Sequence, residues 1–144
     1  MKTRKNISVD LDQTLIYTEL PDGEWIKKGI CNLQPIKEVL GYLCERSLRN
    51  YDIHLISFRG EDDREEVQSF IQKYNIPIKS ITLTNGSDKT PIMLSLRSEL
   101  HIDDRIDILQ KAQEKNIQGL LVCGGQHENN PDASKFEIIK VKYE

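Results

Sequence analysis

The sequence is short of cysteine, of aromatic residues and of long apolar runs, and each shortage closes off a class of protein. Its three cysteines, Cys31, Cys44 and Cys123, are odd in number and widely scattered, with no Cys-x-x-Cys pair. That spacing disfavours a disulfide framework or a zinc site and leads us to expect reduced thiols in a cytoplasmic protein. No stretch approaches the ~20 apolar residues of a membrane span, and no apolar segment follows the basic start to make a secretory signal. Neither sign of charge dominates: 20 Lys and Arg stand against 23 Asp and Glu, a net charge of −3. Lysine and arginine form no stripe of the kind that long nucleic acid requires. What remains is a chain of 144 residues, 38% apolar. It is read as one domain, 1–144, large enough to bury a core without staples.

Strand-like and helix-like patterns alternate along the whole length. The expected order begins with a strand over 6–11, a turn-containing stretch over 17–33, and a helix opened by Pro35. That helix carries Ile36, Val39, Leu40, Leu43 and Leu48 at helical spacing, and a strand over 53–57 follows it. Next come a charged helix over 62–74 with Val67, Phe70 and Ile71 on one face, a strand over 80–84, a short helix over 90–97 and a strand over 100–103. A helix over 105–116, a strand over 119–123 and an alternating C-terminal edge strand over 136–143 complete the series. This succession predicts an α/β fold, a Rossmann-like parallel sheet with helices on both faces. Within 17–33, Pro21-Asp22-Gly23 marks the turn of a small hairpin flap after the first strand.

The acids stand where such a fold places ligands. Asp10 and Asp12 lie at the end of the first strand, Ser57 at the end of the second, and Asp103-Asp104 at the end of the fourth. In parallel sheets the binding crevice lies beyond the carboxyl ends of the strands, where strand order reverses. Three polar clusters therefore converge on one edge. Carboxylates at the end of a buried strand lose hydration, and a divalent cation offsets that cost; oxygen-only donors suit Mg²⁺. Each residue also has a plainer reading. Ser57 caps a turn, Lys89 is a surface lysine, and Asp103 or Asp104 caps the next helix. Asp107 is a weaker metal candidate, and His54 and His101, inside apolar strands, read as core or sheet-face residues.

Taken together, these stretches make the chain resemble the haloacid dehalogenase superfamily of phosphohydrolases. The first motif of that family, a hydrophobic strand followed by Asp-x-Asp-x-Thr, matches Asp10-Leu-Asp-Gln-Thr14. Its second matches His54-Leu-Ile-Ser57, its lysine matches Lys89, and its paired acids match His101-Ile-Asp-Asp104. The resemblance implies a Mg²⁺-dependent phosphomonoesterase with Asp10 as nucleophile and Asp12 as general acid and base. It implies Thr14, Ser57 and Lys89 around the phosphoryl oxygens. It also implies a metal site of Asp10, Asp12 through a main-chain oxygen, Asp103 and Asp104. Gln13 stands where the family often has glycine, and the interval from Lys89 to Asp103 leaves room for only a minimal helix.

Two alternatives of other kinds are a catalytically idle phosphate-binding or regulatory module, and a phosphotransferase. The idle module would have lost Asp10 or the paired acids. A phosphotransferase needs a lid against water, and only the 17–33 hairpin with Trp25 and a bare turn at 59–63 are on hand. An open site implies a bulky phosphorylated substrate, or a lid lent by a second copy in a homo-oligomer. The Ser57-Phe-Arg59-Gly60 turn is similar to that of polynucleotide kinase-type 3′-phosphatase domains, which points toward a nucleotide-like substrate.

Overall fold

A computed structural model describes residues 3–124 and 130–142. Its strands are β1 Lys5–Val9, β2 Tyr51–Ser57, β3 Ser80–Leu83, β4 Ser98–Asp103, β5 Gln118–Cys123 and β6 Glu137–Lys140. The helices are α1 Lys37–Leu48, α2 Arg64–Lys73, α3 Thr90–Ser95 and α4 Ile106–Glu114. All six strands join one sheet in the order β3-β2-β1-β4-β5-β6, with every neighbouring pair parallel. The chain winds outward from β1 through β2 to β3, then jumps to β4 and winds the other way. The switch in direction thus falls between β1 and β4, the two strands that carry the paired acids.

Alternation along the strands sorts the core into two faces. Ile7, Val9, Ile53, Leu55, Leu100 and Ile102 pack with Val39 and Leu43 of α1 and Val67 and Phe70 of α2. Ile56 lies on the opposite face with Met93 of α3 and Ile108 and Ala112 of α4. Helices therefore cover both faces, as the alternating pattern predicts. On β1 and β4 the residues interleaved with the first set are Ser8, His101 and Asp103, all fully buried. A polar seam thus runs through the sheet on the α3 side.

The helices end in a common way. Asn50, Asn75 and Asn116, each two residues past α1, α2 or α4, take left-handed φ values of 69°, 50° and 62°. Asparagine tolerates that conformation at a helix terminus, so each helix stops and releases the chain toward its next element. Three expectations shift. Pro35 precedes α1 and bridges to Ile16, so the helix begins at Lys37. Leu48 is 87% exposed, because five residues past Leu43 it lies about 140° round the helix. β1 stops at Val9 because the Leu11 carbonyl accepts the N–H groups of Thr14, Leu15 and Ile16 and turns the chain. The C-terminal strand is an edge strand as expected, though Tyr143 lies outside the described residues. Among the described residues no helix is long and apolar enough to cross a membrane.

Candidate active site

Lys89 stands at the centre of the polar edge. It precedes the first turn of α3 and is 1% exposed. Its Nζ donates to Asp10 Oδ1 at 2.7 Å and to Asp103 Oδ2 at 3.0 Å. A buried ammonium persists only where anions pair with it. Burial pulls the Lys89 pKa down, but the Asp10 and Asp103 charges overcome it and hold the group above the usual lysine value. The hydroxyl of Thr14, also fully buried, donates to Asp10 Oδ2 at 3.0 Å and reaches Asp104 Oδ1 at 3.4 Å. One carboxylate oxygen from each of Asp10, Asp103 and Asp104 lies within 4.8 Å of the others.

Asp12 belongs to a second network. Arg59 donates from Nε to Asp12 Oδ2 at 3.0 Å and from Nη2 to Oδ1 at 2.8 Å, and Thr18 Oγ1 adds a bond to Oδ1 at 2.7 Å. The same guanidinium donates to the main-chain oxygens of Lys27 at 2.8 Å and Ile26 at 3.1 Å. Ile26 faces Thr18 across a small hairpin, through a bond from its N–H to the Thr18 carbonyl. Arg59 therefore ties one carboxylate to the far arm of the flap. Gln13 ties down the near arm. Its φ is 62°, a left-handed conformation that costs roughly 1–2 kcal/mol without glycine. Its amide offsets the strain by accepting the N–H groups of Thr18 and Glu19 and donating to Thr18 Oγ1.

Both networks open on one cleft of about 340 Å³, lined by Asp10, Asp12, Lys89, Asp104, Trp25 and Phe58 among others. Trp25 is 52% exposed on the flap. The Phe58 ring centre lies 4.7 Å from Lys89 Nζ and 5.4 Å from the Arg105 guanidinium carbon. Two groups carry strongly raised pKa values. Burial and then the Asp103 charge push Asp10 up to about 7, against the opposing pull of Lys89. Burial and the charges of Asp10 and Asp103 push Asp104 up to about 9. Burial pushes Asp103 upward too, but the Lys89 charge and the hydrogen bond from His101 prevail, and its carboxyl falls below the usual range.

No protein-family model matches the sequence, and no curated protein matches it. Solved structures do match. A chain of the Pnkp1/Rnl/Hen1 complex superposes on 98% of this chain with a TM-score of 0.67 and 19% identity. D,D-heptose 1.7-bisphosphate phosphatase from B. bronchiseptica, complexed with magnesium and phosphate, superposes on 95% with a TM-score of 0.62 and 11% identity. The chain has the haloacid dehalogenase fold. A third structure with that fold, 3-deoxy-D-manno-octulosonate 8-phosphate phosphatase from Moraxella catarrhalis with magnesium ion, phosphate ion and KDO, matches 96% at a TM-score of 0.58 and 17% identity. This chain spans 46% of the Pnkp1/Rnl/Hen1 chain, 93% of the heptose bisphosphate phosphatase and 78% of the octulosonate phosphatase.

Within the haloacid dehalogenase fold, Asp10, Asp12, Thr14, Lys89, Asp103 and Asp104 gather at the switch between β1 and β4. Their contacts differ in detail from the sequence expectations. The Asp12 carboxylate is held by Arg59 and Thr18 and stands apart from the three-acid cluster. The Thr14 hydroxyl is directed at carboxylates. Ser57 is buried at the end of β2, and its Oγ accepts the Arg59 N–H at 3.1 Å, the turn-capping contact of the plainer reading. Asp103 Oδ1 likewise accepts the Arg105 N–H at 3.1 Å. Asp107 pairs with Arg105 at the surface, outside the cluster. His54 bonds Asn6 and Ser80 in the sheet. Arg59, Thr18 and the pinning role of Gln13 escaped the motif reading. The one signal for Arg59 was its place in the turn directly after Ser57.

The donor set fits a hard divalent cation: three converging carboxylates, two of them, Asp10 and Asp104, driven toward protonation by burial and by the charge of neighbouring carboxylates. The sign of the pH dependence follows. Asp10 and Asp104 have folded-state pKa values above their unfolded ones. Their contribution to stability is full below about pH 4 and is lost as pH rises through about 7 and about 9. Asp103 acts oppositely, at the acidic end. In chelator the melting temperature should fall between pH 6 and 9, and Mg²⁺ should remove the fall. The Mg²⁺-induced shift should therefore widen with pH, to several degrees at saturation. Thermal melts at pH 6, 7.5 and 9 test this, and a shift that is absent or shrinks with pH would contradict it.

Proposed function

We propose that this chain is a Mg²⁺-dependent phosphomonoesterase that works through an aspartyl-phosphate. The observation that carries the reading is the buried Lys89 bonded at once to Asp10 and Asp103, beside a third acid. An isolated structural lysine has no need of two buried carboxylates and an open cleft. Asp10 Oδ attacks phosphorus, the bond from phosphorus to the leaving oxygen breaks, and Asp12 gives that oxygen a proton. Asp12 then takes a proton from water, whose oxygen attacks phosphorus and releases Asp10 and inorganic phosphate. Lys89 faces the charge that develops on the phosphoryl oxygens and opposes the protonation of Asp10 that burial and Asp103 favour. Ser57 and Thr14 complete the surroundings of that group. Mg²⁺ bound by Asp10, Asp103, Asp104 and the main-chain oxygen of Asp12 would supply charge neutralisation between nucleophile and phosphate. Arg59 and Thr18 hold Asp12 in register with the flap.

The cleft suits a bulky leaving group. Trp25 and Phe58 offer it two aromatic surfaces, and among the described residues nothing larger than the hairpin covers it. A phosphorylated, nucleotide-like alcohol meets those surfaces best, and the free thiols agree with a cytoplasmic setting. Nucleoside monophosphates, sugar phosphates and a small aryl phosphate distinguish the substrate class. On the preferred substrate Trp25→Ala should raise KM about 2- to 12-fold, equivalent to the ~0.5–1.5 kcal/mol of one aromatic contact, while the aryl phosphate is hydrolysed as before. Equal loss on every substrate, with a lower melting temperature, would reduce Trp25 to a packing residue.

A further inference from the structure

His101 lies in the middle of β4 at a position that the apolar pattern of the strand would fill with an aliphatic residue. It is fully buried, as is Ser8 on β1, and Ser98 at the start of β4 is buried as well. Placing three polar side chains inside a parallel sheet costs free energy unless every group finds a partner. Here they find one another. His101 Nδ1 lies 2.7 Å from Ser8 Oγ, and the single proton of Ser98 Oγ is shared between Ser8 Oγ at 2.9 Å and the Leu100 carbonyl oxygen at 2.7 Å. The other ring nitrogen, Nε2, lies 2.9 Å from Asp103 Oδ2. That oxygen also accepts from Lys89, and a carboxylate in such company only accepts, so the Nε2 proton belongs to the imidazole. Ser8 then supplies the hydrogen bond to Nδ1, which fixes both tautomer and ring orientation.

Asp103 accordingly has donors on both oxygens: His101 and Lys89 on Oδ2, the Arg105 N–H on Oδ1. The position of Lys89 over Asp10 depends on where Oδ2 points, because the one ammonium bridges the two carboxylates. We propose that His101 is a positioning residue for the cation site: clamped by Ser8, it fixes the rotation of Asp103, and through Asp103 the spacing of the three acids. The inference rests on the proposed reading of the acid cluster as a Mg²⁺ site. Its place outside the cluster is that of a donor that orients a metal-binding group, and loss of such donors typically weakens metal binding by about 10- to 100-fold.

Calorimetric titration of the whole chain with Mg²⁺ at pH 7.5 tests it. His101→Leu keeps an apolar filling but removes the donor, and should raise the Mg²⁺ Kd by about 10-fold or more. His101→Gln, whose Nε2 amide can reach Asp103, should return most of the affinity. Ser8→Ala should raise Kd about threefold or more, because the ring is then free to turn. A purely structural histidine predicts otherwise: lower melting temperatures in chelator for all three variants, with Kd unchanged. Kd within twofold of wild type in His101→Leu, or no rescue by His101→Gln, overturns the proposal. Should His101→Leu fail to fold, Ser8→Ala with an unchanged circular dichroism spectrum decides, and an unaltered Kd there overturns it equally. Wild-type protein that takes up no Mg²⁺ would instead remove the cation site itself, and this inference with it.

Discussion

Asp10→Asn is expected to lower the turnover of an aryl phosphate by on the order of 10⁴- to 10⁶-fold, the range seen when a covalent nucleophile is removed. The amide has almost the volume of the carboxylate, so the turn after β1 and the contact with Thr14 can persist. Electrostatics favours survival of the fold as well. Asp10 is a buried acid whose pKa is raised to about 7 by burial and by Asp103, so replacing it relieves repulsion that no metal has yet neutralised. The melting temperature in chelator should stay within a few degrees of wild type, and the Mg²⁺-induced shift should shrink because one of the three clustered carboxylates has lost its charge. Activity above a hundredth of wild type, in a preparation free of contaminating phosphatase, would make Asp10 something other than the nucleophile.

Asp12→Asn should separate the two chemical steps. With a poor leaving group, loss of the proton donor should slow turnover by about 10²- to 10⁴-fold, the usual contribution of general acid catalysis. With a 4-nitrophenyl leaving group the first step needs little proton donation, but water still lacks its base. The variant should then release one equivalent of nitrophenol per site in a burst and almost nothing afterwards. The amide oxygen of the substituted side chain can still accept one bond from Arg59, whose other flap contacts, to the carbonyls of Ile26 and Lys27, do not involve residue 12. The hairpin should therefore remain in place. A steady rate with no burst, equal to wild type on both kinds of substrate, would dissociate Asp12 from proton transfer.

The sheet was legible because its strands are short apolar runs separated by helix-period segments, and burial on both faces leaves little room for another register. The site was legible for a related reason: acids at strand ends are expensive, so Asp10, Asp103 and Asp104 had to meet at the edge where β1 and β4 lie side by side. The contacts that cross between elements were not legible. Arg59 reaches Asp12 across 47 positions, and only the folded hairpin brings the carbonyls of Ile26 and Lys27 to the same guanidinium. Gln13 looks anomalous in a motif that often has glycine, until its left-handed φ and its three bonds to Thr18 and Glu19 are seen together. Thr14 is similar. The family resemblance implies a place for it beside the phosphate, and its hydroxyl is directed at the neighbouring carboxylates. His101 reads as core from the pattern and is core in burial, yet its two nitrogens connect the seam of β1 to Asp103.

The central claim is a covalent bond between Asp10 and phosphorus, and the most direct measurement is to trap it. Asp12→Asn, mixed with a phosphorus-labelled aryl phosphate and Mg²⁺ and quenched in acid within the burst, should hold close to one label per chain. The label should be released by hydroxylamine, as an acyl phosphate is, and map to the peptide containing Asp10. A protein that turns over the substrate, but carries no hydroxylamine-labile label or carries it on another residue, would contradict the account.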